Sequence, residues 1–136
     1  MNEETFKDLK HEYALSAVLL LDNGSYITAY HCAGLAAECA LKEKVSAKIP
    51  AKTFPPKKTN DYYCHNINTL INLANLREEV DQEVRSKSGM GANIQTVRQW
   101  NVEDRYNTGI GETMASSMVS AVTDEKEGFI TWLDTK

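Results

Sequence analysis

Apolar residues near the start of the chain recur every three or four positions, which is the spacing of one face of an α-helix. This pattern covers residues 4–21 and ends at a turn formed by residues 22–25. The turn contains Asn23-Gly24, a turn dipeptide, and Ser25 is suited to cap a following helix. Two helices joined by so short a loop must lie side by side and antiparallel. The chain is therefore predicted to open with a helical hairpin.

The second predicted helix, residues 26–45, is unusual for its content of small side chains. They are Ala29, Ala33, Gly34, Ala36, Ala37 and Ala40. A helix with so little bulk can approach its neighbours closely, which is typical of the central helix of a bundle. Glu38 lies among these residues, so its carboxylate is predicted to be at least partly buried. A buried carboxylate needs a hydrogen-bond or cationic partner to offset its desolvation.

Residues 46–61 differ in character, because three prolines break any helix and four lysines make the segment basic. The segment is predicted to be a loop. The simplest interpretation is a solvated connection. The alternative is a phosphate-contacting patch, for which Lys57 and Lys58 are the candidates.

The remaining apolar patterns also have helical spacing, and no segment alternates apolar and polar residues as a half-buried strand would. A short helix is predicted over residues 66–75, and the helical pattern continues over 76–87. Further helices are predicted over 94–100 and 112–133, with a loop over 107–111. Asn66 or Asn68 can cap the first of them, and Gly128 weakens the last one in its middle. The predicted fold class is all-α, an up-and-down bundle of four to five helices.

Length and composition agree with a compact helical protein. The 136 residues, with 42% apolar and 25% charged side chains, fit one domain spanning residues 1–136. The longest purely apolar run, residues 17–21, is too short to cross a bilayer, so no membrane contact is predicted. The acidic start of the chain does not resemble a secretory signal, and a cytoplasmic location is expected. The three cysteines (Cys32, Cys39 and Cys64) are an odd number, which predicts reduced thiols that pack in the core.

The formal net charge of −4 comes from 15 basic and 19 acidic residues. Such a charge repels a polyanion as a whole. Any binding of nucleic acid must therefore use a local patch of positive charge.

Four sequence features occur in an order that resembles the HEPN domain (higher eukaryotes and prokaryotes nucleotide-binding). They are the turn Asn23-Gly24-Ser25-Tyr26, the helix segment Ala37-Glu38-Cys39-Ala40-Leu41-Lys42, His65 followed five residues later by Leu70, and Trp100 followed by Glu103, Arg105 and Tyr106 before a final helix ending Trp132-Leu133. The resemblance covers nearly the whole chain and implies a helical bundle. It also implies one of two roles: a metal-independent ribonuclease, or a partner of nucleotidyltransferases or of toxin–antitoxin and phage-defence systems.

The nuclease members of that family carry an arginine followed four to six residues later by a histidine, and two chains pair so that both copies face one RNA. In this sequence the last histidine is His65 and the first arginine is Arg77, so the motif is absent from these residues. Arg105 stands near the motif arginine, but no histidine follows it. Cleaving RNA without a metal needs a group that accepts the 2′-hydroxyl proton, and histidine does this best. Hydrolysis by that mechanism is therefore not expected, and whether the chain is an enzyme is left open.

One group of side chains is singled out as a candidate ligand site: Glu38, His65, Trp100, Glu103, Arg105 and Tyr106. The structural interpretation is that Arg105 pairs with Glu38 and stabilises the bundle. The functional interpretation is a nucleotide pocket, in which Arg105 contacts phosphate, Tyr106 or Trp100 stacks on a base, and Glu38 accepts from a base edge. Backbone amides near Gly109 and Gly111 could add contacts to a phosphate.

Two function hypotheses follow. The first is a non-catalytic HEPN-like protein that forms a homodimer and binds a protein partner, such as a nucleotidyltransferase or another component of bacterial defence. The second is an RNA- or nucleotide-binding protein, or a divergent ribonuclease, that acts through Arg105. A metal site made of His31, Glu38 and a cysteine is disfavoured because no dense ligand spacing supports it, so no metal and no cofactor are predicted.

Overall fold

The structure, a computed structural model, describes residues 2–48 and 64–136. Within these two segments the chain forms seven α-helices and one 3₁₀ helix and no strand, which confirms the all-α class. The helices are α1 (Glu3–Asp22), α2 (Tyr26–Ala47), α3 (Ile67–Leu73), α4 (Arg77–Arg85), α5 (Gly89–Arg98), the 3₁₀ helix (Val102–Tyr106), α6 (Glu112–Thr123) and α7 (Phe129–Asp134). None of these helices has both the length and the apolar character needed to span a bilayer.

Helices α1 and α2 form the predicted opening hairpin. Asn2 caps α1, because its side-chain oxygen accepts a hydrogen bond from the Thr5 amide at 3.0 Å. In the turn, Gly24 has a φ of +77°, a conformation that glycine adopts without steric cost. Ser25 occupies the N-cap position of α2, but its side chain makes no capping hydrogen bond, contrary to the expectation from the sequence. The hairpin therefore depends on the turn backbone and on packing between the two helices.

Helix α2 is the central element of the described fold. It contacts α1, α3, α6, α7 and the 3₁₀ helix, and its small residues are buried at these contacts. Gly34 allows the closest approach, since a Cβ atom at this position would lie 1.9 Å from Cε2 of Trp100. The prediction that the small side chains mark a central helix is confirmed.

Helices α3 and α4 end within two residues of their predicted bounds, and a residue in the left-handed conformation follows each of them. Asn75 has a φ of 58° and separates α3 from α4, while Lys87 has a φ of 56° and separates α4 from α5. Of the two candidate caps, Asn66 is the one that caps α3, accepting from the Thr69 amide at 3.0 Å. Helix α5 begins earlier than expected, because the Ser88 hydroxyl accepts from the Gly91 amide at 2.9 Å and caps it.

The final helix predicted over residues 112–133 is instead two helices, α6 and α7. Between them the Asp124 carboxylate accepts from the backbone amides of Lys126 and Glu127 at 3.1 and 2.7 Å. Gly128 follows, and a Cβ there would lie 2.4 Å from the Asp124 carbonyl oxygen. Gly128 thus permits a tight connection and ends the helical run, where the sequence suggested only a weak point. This break and the one at Asn75 each divide a predicted helical stretch, so the described residues contain seven α-helices where four or five were expected.

A buried lysine connects the first and last helices. Lys10 of α1 is 3% exposed, and its Nζ lies 2.6 Å from Glu43 Oε2 of α2 and 3.4 Å from Asp134 Oδ1 of α7. A charge removed from water needs such partners to offset its desolvation. The network therefore holds the end of α7 beside the opening hairpin.

Candidate functional site

Glu38 is buried as predicted, and its partners are a lysine and a histidine. Its side chain is 3% exposed, and Oε1 lies 2.7 Å from Lys42 Nζ, one helical turn further along α2. The same oxygen lies 2.7 Å from Nδ1 of His65, which directly precedes the α3 cap residue Asn66. Since an ionised carboxylate only accepts hydrogen bonds, Nδ1 of His65 donates here. The contact therefore holds the imidazole by one nitrogen and leaves Nε2 for other partners.

Arg105 does not pair with Glu38, so the structural interpretation given to this arginine was wrong. The Arg105 side chain is exposed, and its guanidinium carbon lies 4.7 Å from the centre of the Tyr106 ring, a cation–π contact. Tyr106 is 69% exposed. The two side chains form an exposed pair at the end of the 3₁₀ helix, and the charge of the buried Glu38 carboxylate is balanced by Lys42.

One face of α2 carries His31, Gly34 and Glu38, and the Trp100 indole lies against it. The ring centres of His31 and Trp100 are 6.1 Å apart, and the indole covers Gly34. Three buried polar atoms of these residues have no hydrogen-bond partner in the described structure: His31 Nδ1, Glu38 Oε2 and Trp100 Nε1. Buried polar atoms without a hydrogen-bond partner are uncommon in folded proteins, and here three of them occur in one region.

Burial and nearby charges perturb several ionisable groups around α2. Burial lowers the pKa of His31, and the positive charge of Arg105 lowers this pKa further. Burial, followed by the charge of Asp104 and a hydrogen bond to it, raises the pKa of Tyr30 to about 12. The Tyr30–Asp104 contact connects the 3₁₀ helix to α2.

Burial also raises the pKa of the two thiols of α2. Burial, helped by the negative charge of Glu38, raises the pKa of Cys39 to about 11, and burial also raises the pKa of Cys32. Both thiols therefore stay protonated near neutral pH, and the thiolate is the form that attacks electrophiles or binds metals. All three cysteines are free thiols, and Cys32 and Cys39 are buried.

A pocket of about 480 Å³ lies beside His65, between the start of α3 and the segment that joins α5 to the 3₁₀ helix. It is lined by His65, Asn66, Ile67, Asn68, Arg98, Gln99, Trp100, Asn101, Val102 and Glu103. The volume is within the range of small-molecule sites. The lining is rich in amides and charged groups, which suits a polar ligand. Three predicted site residues, His65, Trp100 and Glu103, meet here.

Arg98 is held in position at this pocket by uncharged partners. Its Nε donates to Asn68 Oδ1 at 2.8 Å and its Nη1 donates to Gln95 Oε1 at 3.2 Å. Among the described residues no carboxylate lies within ion-pair distance of this guanidinium. The side chain is thus oriented by uncharged groups, and no neighbouring carboxylate neutralises its positive charge. It is therefore able to bind an anion.

Of the candidate phosphate contacts, the two glycines do not join this pocket. Lys57 and Lys58 lie outside the described residues. The Gly109 amide donates to Asn107 Oδ1 at 2.9 Å, so it already has a partner. Gly111 is exposed and occupies the N-cap position of α6. Neither glycine lines the pocket.

The sequence reasoning missed two residues of this region, Lys42 and Arg98. Lys42 could have been found, since it lies four residues after Glu38 on the same helical face. Arg98 had no such local signal, because Asn68 lies thirty residues away along the chain. In the described segments no group of three or more His, Cys, Asp or Glu side chains is arranged to hold a metal ion.

The fold and the site together define a helical bundle with a polar pocket between α3 and the 3₁₀ helix. No protein-family model matches the chain, and comparison with curated proteins and with solved structures gives no significant match.

Proposed function

We propose that this chain is a non-catalytic, HEPN-like binding protein that pairs with a second copy of itself through α1. The observation that carries the proposal is a group of apolar side chains on the solvent face of α1. Leu15 is 57% exposed, Leu19 52% and Val18 37%. The apolar stripe, defined as Leu15, Val18 and Leu19, lies on a helix whose opposite face packs in the bundle.

The spacing of this face suits an antiparallel pairing of two α1 helices. The solvent face of α1 includes the exposed residues His11, Leu15, Val18 and Asp22, which are spaced four, three and four positions apart. This series is the same when read from either end, so a two-fold axis through its middle brings apolar residues together. At both ends His11 of one copy then faces Asp22 of the other. The surface is self-complementary in its pattern.

The dimer is expected to be weak, because three side chains form only a small interface compared with stable dimers. We expect a dissociation constant on the order of 10 μM or higher. Sedimentation velocity over a wide concentration series measures it directly. Leu19→Glu is expected to abolish association, since it places a charge within the apolar contact.

Leu73→Glu is the matched control for this variant. Leu73 is also a partly exposed leucine, at 38%, but it lies on α3. This control should associate like the parent protein. A parent protein that stays monomeric at several hundred μM, or a Leu73 variant that dissociates as fully as the Leu19 variant, contradicts the proposal.

The resemblance to HEPN proteins supports the second part of the proposal, a protein partner of the nucleotidyltransferase type or another component of bacterial defence. The net charge of −4 favours a protein over a nucleic acid as the main partner. The product of the adjacent gene is the first candidate. Co-expression of that product with this chain, followed by size-exclusion chromatography, tests whether the two form a stable complex.

A second candidate function, binding of RNA or nucleotide, is favoured by the exposed pair Arg105 and Tyr106. A guanidinium can contact phosphate, and a tyrosine with 69% exposure can stack on an unpaired base. Arg105→Ala is expected to weaken binding of single-stranded RNA about tenfold, because both the charge and the support of the ring are lost. Fluorescence anisotropy measures the binding, and gel analysis of total RNA detects any cleavage.

Arg85→Ala is the control for this test, since Arg85 is exposed on α4 and changes the net charge equally. Equal weakening by the two variants would indicate general charge attraction. Absence of RNA binding by the parent protein leaves the first function as the proposal.

A further inference from the structure

We propose that the pocket beside His65 is a binding site for a small polyhydroxylated molecule that carries an oxyanion, with Arg98 as its anion contact. This site is separate from the apolar stripe on α1 and does not depend on self-association. Its residues come from two elements only, the start of α3 and the segment from α5 to the 3₁₀ helix.

The Arg98 guanidinium points to an anionic group on the ligand. Arg98 is oriented by Asn68 and Gln95, whose side chains are uncharged. The guanidinium has five N–H donors, and these two contacts use two of them. The planar arrangement of the remaining donors matches two oxygens of a carboxylate or a phosphate.

The other lining residues point to hydroxyl groups on the same ligand. His65 is fixed by Glu38 through Nδ1, so Nε2 is the ring nitrogen left to the pocket. Depending on its protonation, Nε2 accepts or donates a hydrogen bond. The amides of Asn66, Gln99 and Asn101 can also donate and accept. Glu103 accepts hydrogen bonds only and disfavours a second anionic group near it.

The size of the pocket sets a further limit on the ligand. About 480 Å³ exceeds the space that a bare phosphate ion fills and is sufficient for a hexose derivative. The polar lining disfavours an apolar ligand, which would leave the amides without hydrogen bonds. A sugar phosphate or a sugar acid meets these requirements.

Three hexose derivatives test the proposal: glucose 6-phosphate, gluconate and glucose. Binding is followed by chemical-shift changes of the Asn, Gln and Arg side chains in NMR titrations of the full chain. We expect saturable binding of glucose 6-phosphate or gluconate, and the tighter of the two identifies the oxyanion. Glucose should bind at least about tenfold more weakly. Glucose binding as tightly as both anions, or no saturable shifts with any of the three, overturns the proposal.

Variants assign the contacts. Arg98→Gln is expected to weaken binding about tenfold and Arg98→Lys less, since lysine keeps the charge without the planar fork. His65→Gln should weaken binding several-fold through the lost Nε2 contact. Arg85→Gln is the matched control for net charge and should bind like the parent protein. The same titrations show from dispersed amide signals that each variant is folded. Equal weakening by the Arg85 and Arg98 variants contradicts a site at Arg98.

Discussion

Glu38→Leu is expected to lower the free energy of unfolding by about 3 kcal/mol, because removing one partner of a buried ion pair leaves the other charge uncompensated. The remaining charge is Lys42, which is 7% exposed. Lys42 Nζ also lies 5.9 Å from the centre of the Phe6 ring, a cation–π contact that does not replace the charge of Glu38. Urea denaturation followed by circular dichroism measures the loss.

A double-mutant cycle separates the ion pair from general damage to the core. Glu38→Leu combined with Lys42→Met should be more stable than Glu38→Leu alone, since apolar side chains of similar size replace both charges. The exposed carboxylate variant Glu103→Gln should change the free energy of unfolding by less than about 0.5 kcal/mol. A double variant that is less stable than Glu38→Leu alone would show that Lys42 does not depend on Glu38.

Gly34→Ala is expected to lower the free energy of unfolding by about 2 kcal/mol, since overpacking a buried contact outweighs the better helix propensity of alanine. The added methyl group would lie 1.9 Å from Cε2 of Trp100, a distance that no real contact permits. Trp100 is 4% exposed, so the indole has little room to move away. Urea denaturation of the variant and the parent protein measures the difference.

Two further variants show whether the indole causes this loss. In a Trp100→Ala background, Gly34→Ala should cost no further stability, because the ring that it meets is gone. Gly89→Ala is the matched control on α5: its nearest neighbour is the flexible carboxylate of Glu127, which can rotate away. This control should change stability by less than about 1 kcal/mol. If Gly34→Ala lowers the free energy of unfolding by the same amount in the Trp100→Ala background, contact with the indole is not the cause.

Several features of the fold were predictable because they depend on nearby residues. The apolar period over residues 4–21 and the Asn23-Gly24 turn predicted the α1–α2 hairpin, and Asn66 was one of two candidate caps for α3. The burial of Glu38 followed from its apolar neighbours on the same helix. In each case the signal lies within a few residues of the feature that it predicts.

The candidate site was predicted only in part. His65, Trp100 and Glu103 do meet at one pocket, whereas Arg105 and Tyr106 form an exposed pair of their own. The expected Arg105–Glu38 contact assumed that an arginine far along the chain would supply the balancing charge. Lys42, one turn away on α2, supplies it at 2.7 Å.

The sequence by itself determined the helical class, the antiparallel opening hairpin and the central place of the small-residue helix, because helical period and side-chain volume are local properties. Only the tertiary structure decided which side chains meet across helices, such as His65 with Glu38 and Arg98 with Asn68. Those contacts depend on where each helix ends and how it is rotated about its axis. Asn75 and Lys87, which adopt the left-handed conformation, separate neighbouring helices. The periodic pattern of apolar residues does not predict such positions.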